Sequence, residues 1–331
     1  MALAGVTLTA LCLTSCMGKG KKQKYNEGTA VMYCDEGFAS FMEEEIGVFE
    51  YQYPKATILT RYMSENEAIQ GLLDDSCQLI VTATPLTKDQ IDYVKDKNNR
   101  IVKSMPIAVD AVALIVNKNN SVSRLTTVDI QDILTGKVKE WGQLQRVTDN
   151  KLDTTGIKIV FDRPGSATVN YMQQRFLNGG KFPANAYAQQ SSEDVFSAVE
   201  KDPSAIGIIS VGWLGENLEK LSSDAIHIDE AKVKGLADES EIVNVDFTDK
   251  VKVLAIGSDK AAYVEDYYLP SQTNIWDKYP LVRKIYMTTS SMQTSVGQSF
   301  YSFVTSVIGQ KILARTGILP YSMPVRVVEL E

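Results

Sequence analysis

Short apolar runs alternate with amphipathic stretches along most of the chain, and the alternation predicts strands followed by helices. TAVMYC at 29–34 precedes GFASFMEEEIGVFEYQYP, which has a helical pattern and stops at Pro54. ATILTRYM predicts a second strand, ENEAIQGLLDD a helix, and CQLIVTAT a third strand. PLTKDQIDYVKDK follows, where Thr87 and Gln90 have the spacing of a capping box. Further along come IVKSMPIAVDAVALIVN, TTVDIQDILTG, GIKIVFD, a helical pattern after Ser166, SSEDVFSAVEK and AIGIISVGW. KVKVLAIG, YPLVRKIYM and one long helical pattern, VGQSFYSFVTSVIGQKILART, complete the series. Strands alternating with helices in this way imply an α/β protein built on parallel pairing.

In open α/β sheets ligands lie at the carboxyl ends of strands, where the helices begin. Three such junctions carry polar residues: CDEGF at 34–38, TATPL at 82–86 and DRPGSAT at 162–168. The last is the richest. A helix amino terminus leaves backbone N–H groups without partners and concentrates partial positive charge. Gly165 permits close approach, Ser166 and Thr168 add hydroxyls, and Arg163 adds a fork of donors matched to phosphate or carboxylate. One local reading is an anion cradle. The other is that Ser166 caps its own helix and Arg163 is solvated.

Composition narrows the classes. With 331 residues and 44% hydrophobic content, the chain is long enough for more than one folding unit. A net charge of −7 without a basic patch excludes nucleic acid as the expected partner. The single histidine, His227, lies among polar and acidic neighbours and is expected at the surface, so neither a histidine metal site nor a Ser-His-Asp triad is expected. No P-loop, nucleophile elbow or HExxH pattern occurs. An enzyme would have to work through Asp35, Glu36 and Asp162 as paired carboxylates, against the simpler reading of Asp35 as a helix cap.

The four cysteines divide into two pairs. Cys12 and Cys16 lie in MALAGVTLTALCLTSCMGKGKKQK, where Leu13-Thr14-Ser15-Cys16 resembles a bacterial lipobox. That resemblance implies a lipoprotein signal peptide over 1–16, lipidation at Cys16 and a flexible, lysine-rich tether over 17–27. The apolar run is too short for a permanent membrane span. Cys34 ends one predicted strand and Cys77 begins another. If the two strands are parallel neighbours, the sulfurs lie at opposite ends, beyond the reach of about 7 Å between Cα atoms that a disulfide allows. Two free, mostly buried thiols are expected.

Four blocks together resemble the phosphate-binding proteins of bacterial phosphate ABC transporters, the PstS family of periplasmic binding proteins. They are PIAVDAVALIVNKNNSVSRLTTVDIQDILTGKVKEWGQL, RPGSATVNYMQQRFL, DPSAIGIISVGWL, and YPLVRKIYM with FYSFVTSVIGQKILARTGILP. The resemblance implies a two-lobed type II periplasmic-binding-protein fold, with a mixed sheet in each lobe and crossing hinge strands. Lobe 1 would comprise 28–107 plus 279–331, and lobe 2 would comprise 108–278. It further implies a monomeric binding protein without cofactor or metal, facing the periplasm on a lipid anchor, that hands phosphate or a related oxyanion to an ABC permease in the inner membrane. Carried over residue by residue, the ligand site would be Ser166, Thr168, Gly165, Ala167, Arg163 and Asp162, with Asp35, Gly37 and Phe38 from the first loop and Thr82 and Thr84 from the second.

Departures from the family pattern fall inside that site. The first loop carries Asp35 and Glu36 where small and hydroxyl residues are usual. TATPL lacks the charged residue of the second loop. Asp162 stands in the arginine slot, Arg163 lies one place closer to Ser166, and Ala167 replaces a glycine. Asp35 or Asp162 would then accept the ligand's proton. A different oxyanion, a phosphorylated small molecule and a scaffold that has lost its ligand remain open. So does an envelope interaction module using the aromatic cluster YVEDYYLPSQTNIW at 263–276.

Overall fold

The structure, a computed structural model, describes residues 25–144, 154–214, 250–270, 272–292, 295–316 and 318–322. The segment carrying Cys12 and Cys16, and His227, lie outside the described residues.

The predicted β/α alternation is present from the start. Strand β1 (Gly28–Asp35) leads through a 3-10 turn (Glu36–Phe38) into α1 (Ala39–Gln52), which ends just before Pro54. Next come β2 (Ala56–Met63), α2 (Glu65–Leu73), β3 (Leu79–Thr82) and α3 (Lys88–Asn98). The capping box expected at Thr87 and Gln90 forms, as does a second one at Ser64 and Glu67, so each helix starts with its first amides satisfied.

Strand β4 (Lys103–Asn117) is the longest and is buried almost continuously from Ile107 onward. A strand covered on both faces reads as an unbroken apolar run, which is what the sequence has here. After it come β5 (Arg124–Thr126), α4 (Thr127–Leu134), β6 (Lys158–Phe161), α5 (Ala167–Leu177), β7 (Ala186–Ala188), α6 (Ser192–Lys201) and β8 (Ala205–Ser210). The chain continues with β9 (Val251–Val253), β10 (Ala255–Gly257), β11 (Tyr267–Tyr268), α7 (Gln272–Asp277) and β12 (Val282–Thr289). It closes with α8 (Val296–Val304), α9 (Val307–Arg315) and β13 (Leu319–Pro320).

The main sheet has the order β2-β1-β3-β12-β4-β8-β6-β7, with β13 and β9 also paired to β4. Strands β1, β2 and β3 are mutually parallel, and so are β6, β7 and β8. β12 and β4 run against their neighbours, so the sheet is mixed rather than purely parallel. β4 belongs to both halves: residues 103–111 pair with β12 and residues 112–116 with β8. A small second sheet, β11-β10-β5, flanks the second half.

Each half has its own core. One gathers Met32, Phe41, Phe49, Ile107, Ile285, Phe300 and Val304. There Phe49 meets Phe300 and Phe303 edge-on, with centroids 5.0 and 5.4 Å apart. The other gathers Leu114, Ile133, Trp141, Ile159, Met172 and Ile206. Cys34 lies level with Val81 at the far end of the β1–β3 pairing, while Cys77 precedes β3; both thiols are buried and free, as the spacing predicts.

The carboxy-terminal helical pattern is corrected. Instead of one long helix the chain forms α8 and α9, interrupted at Thr305 and Ser306. The Ser306 hydroxyl accepts the amides of Ile308 and Gly309 and so starts a new helix, while Thr305 turns its hydroxyl back onto the Tyr301 carbonyl. Of the aromatic stretch 263–276, Tyr263 is exposed, whereas Tyr267 and Tyr268 are half-buried and Tyr267 stacks under Arg124.

Candidate functional site

Three strand ends meet at one place. β1 ends at Asp35, β3 at Thr82, and β6 runs into Asp162 and the amino terminus of α5. The first loop is shaped by Asp35, whose Oδ1 accepts the Gly37 amide at 3.0 Å and caps the 3-10 turn. Its second oxygen reaches across the sequence: Oδ2 accepts the Ala167 amide of α5 at 2.8 Å. A carboxylate from the first half therefore sits at the positive end of a helix in the second half.

The β6–α5 loop turns at Gly165, whose φ of +77° is a left-handed conformation suited to glycine. Ser166 caps α5, accepting the Val169 amide at 3.1 Å, and donates to Asp162 Oδ1 at 2.5 Å. Asn66 donates its amide to the Gly165 carbonyl at 3.1 Å, bringing the start of α2 against this loop.

The second loop is held by Glu65, a fully buried carboxylate at the start of α2. Its Oε1 accepts the amides of Ala83 and Thr84 at 2.6 and 2.7 Å. Its Oε2 accepts the Thr84 hydroxyl at 2.9 Å and Asn170 Nδ2 at 2.8 Å. The Thr82 hydroxyl donates to the Thr84 carbonyl at 2.8 Å.

The buried arginine of the site is Arg283, which the sequence reading did not single out. It projects from β12 opposite Asp110 of β4. Nε and Nη2 both donate to Asp110 Oδ2, at 2.9 and 2.7 Å, and Nη1 donates to the Thr168 hydroxyl at 3.3 Å. Asp110 is also held by the Ser210 hydroxyl at 3.0 Å and the Gly212 amide at 3.3 Å. The guanidinium lies 5.1 Å from the Phe38 ring centroid. A signal was available: Asp110 is a lone acid inside VDAVALIV, and PLVRKIYM carries two adjacent bases, Arg283 and Lys284, of which strand alternation turns one inward. Opposite charges on two apolar strands call for a mutual partner.

Arg163 lies elsewhere. Its guanidinium donates to the Gln190 carbonyl and pairs with Glu36 at 2.5 Å on the half-exposed rim. Asp162, Gly165, Ser166, Ala167, Thr168, Asp35, Gly37 and Phe38 are brought together, whereas Thr82 and Thr84 stand on the wall organised by Glu65.

Burial sets the protonation. Asp35 is 1% exposed, and that burial, with repulsion from Asp162, raises its carboxyl to about 7 despite the Ala167 N–H. Burial raises Asp162 to about 6, opposed by the Ser166 hydroxyl and by Arg283. Arg283 is also buried, which disfavours its charge, yet Asp110 outweighs this and holds the guanidinium protonated. The site thus combines donors fit for an oxyanion with carboxyls able to accept a ligand's proton. Among the described residues no group of three or more His, Cys, Asp or Glu could hold a metal ion, and no helix is long and apolar enough to cross a membrane.

Comparison with known proteins agrees on the architecture. A putative phosphate ABC transporter substrate-binding protein from Clostridium perfringens, solved with bound phosphate, is 21% identical and superposes with a TM-score of 0.64 over 89% of this chain and 100% of its own. An ABC-type phosphate transport receptor from Vibrio cholerae is 18% identical, with a TM-score of 0.59 over 88% of this chain and 100% of its own. A phosphate-binding protein from Stenotrophomonas maltophilia is 12% identical, with a TM-score of 0.59 over 89% of this chain and 91% of its own. At such identities the likeness is one of fold. No curated protein matches the chain. The family model of the PBP superfamily domain matches residues 24–307, in keeping with the mixed sheet and the meeting of its strand ends, and the chain belongs to that family.

Proposed function

We propose that the chain is a solute-binding protein that captures phosphate between two lobes, 28–107 plus 279–331 and 108–278, and delivers it to an ABC permease. The observation that carries this reading is the convergence of Arg283, Thr168, Ser166 and the α5 amino terminus with two carboxyls of raised pKa. Hydroxyls, backbone amides and a guanidinium suit a dehydrated oxyanion, and a carboxylate beside them distinguishes hydrogen phosphate, which carries a proton, from sulfate, which does not. β4 passes between the halves, and rotation about it would open and close the cleft. Anchoring through a lipid on Cys16 and action as a monomer at the cell envelope belong to the same reading. The role is binding rather than catalysis.

A phosphorylated small molecule is the second reading, favoured by one feature. A recess of about 400 Å³ opens beside the buried cluster, lined by Glu65, Asn66, Thr84, Asn170 and Gln173 among others. It would accommodate the remainder of a ligand whose phosphoryl group lies at α5.

Calorimetric titration of the full chain, unfolded and refolded to strip carried-over ligand, tests the proposal with phosphate against sulfate at pH 7. Phosphate binding with sulfate excluded is expected, and no heat with either anion would overturn it. The Ser166→Ala, Thr168→Ala double variant should bind phosphate at least tenfold more weakly, since each charge-assisted hydrogen bond contributes roughly 1.5–3 kcal/mol. Unchanged affinity in a folded double variant would remove these hydroxyls from the site.

A further inference from the structure

We infer that Asp35 is a tethered occupant of the anion cradle, holding the Gly37 and Ala167 N–H groups until an incoming oxyanion displaces it. The inference rests on the oxyanion reading proposed above and concerns how that same site is regulated.

The geometry separates this role from simple capping. A cap on the 3-10 turn needs one oxygen and a near neighbour, and Oδ1 with the Gly37 amide supplies both. Oδ2 is committed instead to Ala167, 132 residues away and at the first turn of a different helix. The two oxygens thus hold amides from both halves, as two oxygens of a bound oxyanion would. Glu65 repeats the pattern on the opposite wall, with one oxygen on the Ala83 and Thr84 amides and the other on Asn170 of α5. These carboxylates are buried, so water offers them no alternative partner.

Charge makes the occupancy conditional. Asp162 at the end of β6 and Glu65 on α2 repel Asp35, while Arg283 on β12 attracts it but commits Nε and Nη2 to Asp110. Glu36 and Arg163 pair with each other at the rim, and the Cys34 thiol donates to the Asp35 carbonyl. Ionised Asp35 therefore competes with an anion for the donors and also repels it. Protonated Asp35 does neither with the same force, and its hydroxyl can donate to the ligand. Its carboxyl titrates near 7, so the exchange falls within the ordinary pH range of an envelope protein's surroundings. Capture is favoured on the acid side and release on the alkaline side.

The test compares the wild-type full chain with Asp35→Asn and Asp35→Ser by phosphate calorimetry at pH 5.5 and 8.5. Phosphate's own titration is common to all three proteins and cancels. Serine still caps Gly37 but is too short to reach Ala167. Both variants should bind phosphate at least tenfold more tightly than wild type at pH 8.5 and within threefold of it at pH 5.5. Variants that bind tenfold more weakly at both pH values would make Asp35 the reader of the ligand's proton and overturn the inference, as would equal affinity throughout. Amide NMR of the ligand-free wild type stands apart from phosphate: the Ala167 N–H shift should titrate with the Asp35 carboxyl carbon, and the titration should vanish in Asp35→Ser. A flat Ala167 signal overturns the inference. Absence of phosphate heat in all three proteins overturns the phosphate reading instead and leaves Asp35 to be decided by the NMR titration.

Discussion

Arg283 and Asp110 show how much one ion pair can organise. Both are buried, Asp110 on the strand shared by the two halves and Arg283 on the strand paired to it, and the pair orients the remaining guanidinium nitrogen toward Thr168. A buried pair of this kind gives little net stability, but losing one partner leaves an uncompensated charge. Arg283→Met and Asp110→Leu should each lower unfolding stability by about 3–5 kcal/mol. The double variant should recover a large part of that loss while still failing to bind phosphate. Urea denaturation together with calorimetry separates these effects. A double variant no more stable than the singles would mean that Ser210 and Gly212, left without their acceptor, dominate the cost.

The β6–α5 loop is the element on which the two halves lean. A Cβ at Gly165 would lie 2.7 Å from Asn66 Nδ2 and 3.3 Å from Asn66 Cβ. Asn66 cannot easily retreat, because its own amide is bonded to the Gly165 carbonyl. Gly179 is a useful contrast: its φ of +78° is nearly the same, but its Cβ would meet nothing closer than Gln174 Oε1 at 3.7 Å. Alanine at either position should cost about 1–2 kcal/mol from the left-handed backbone. Gly165→Ala should cost more than Gly179→Ala and should also weaken phosphate binding, whereas Gly179→Ala should leave affinity unchanged. Equal unfolding midpoints and equal affinities for the two variants would show that α2 and this loop are not pressed together in solution.

At the scale of the whole molecule, buried carboxyls set the dependence of stability on pH. Burial raises Asp35 to about 7 and Asp162 to about 6. Burial also raises Glu45, on the inner face of α1, to about 9, and neither of its oxygens has a hydrogen-bond partner. In the unfolded chain these groups ionise near 4, so between that pH and their folded values the native state binds more protons than the unfolded state. Stability is then fully present below about pH 4 for these groups and is lost as pH rises through 6, 7 and 9 in turn. Urea midpoints measured from pH 5 to 9.5 should fall with increasing pH. Glu45→Gln should flatten the alkaline limb, and Asp35→Asn the part below about pH 7. Midpoints that rise over this range would contradict the burial of these groups.

The chain's local chemistry determined its β/α alternation, its helix starts at Ser64, Thr87 and Ser166, the free thiols, and the three junctions at which the site forms, because caps and hydrophobic period act over a few residues. The break between α8 and α9 escaped the periodicity, since Val307 and Ile308 continue the apolar spacing of α8 in the sequence, yet Ser306 resets the backbone and leaves both exposed. Side-chain destinations were not legible in the same way. At the DRPGSAT junction Ser166 caps its own helix and also stands beside the buried cluster, while Arg163 pairs with Glu36 at the rim. Whether Arg163 or Arg283 enters the site depends on which strand lies across the sheet, and that is a matter of pairing between residues 173 positions apart. The reach of Asp35 to Ala167 depends likewise on how the two halves meet. Sequence governs what each residue can donate or accept, while only the tertiary structure decides which distant partner stands within hydrogen-bond distance.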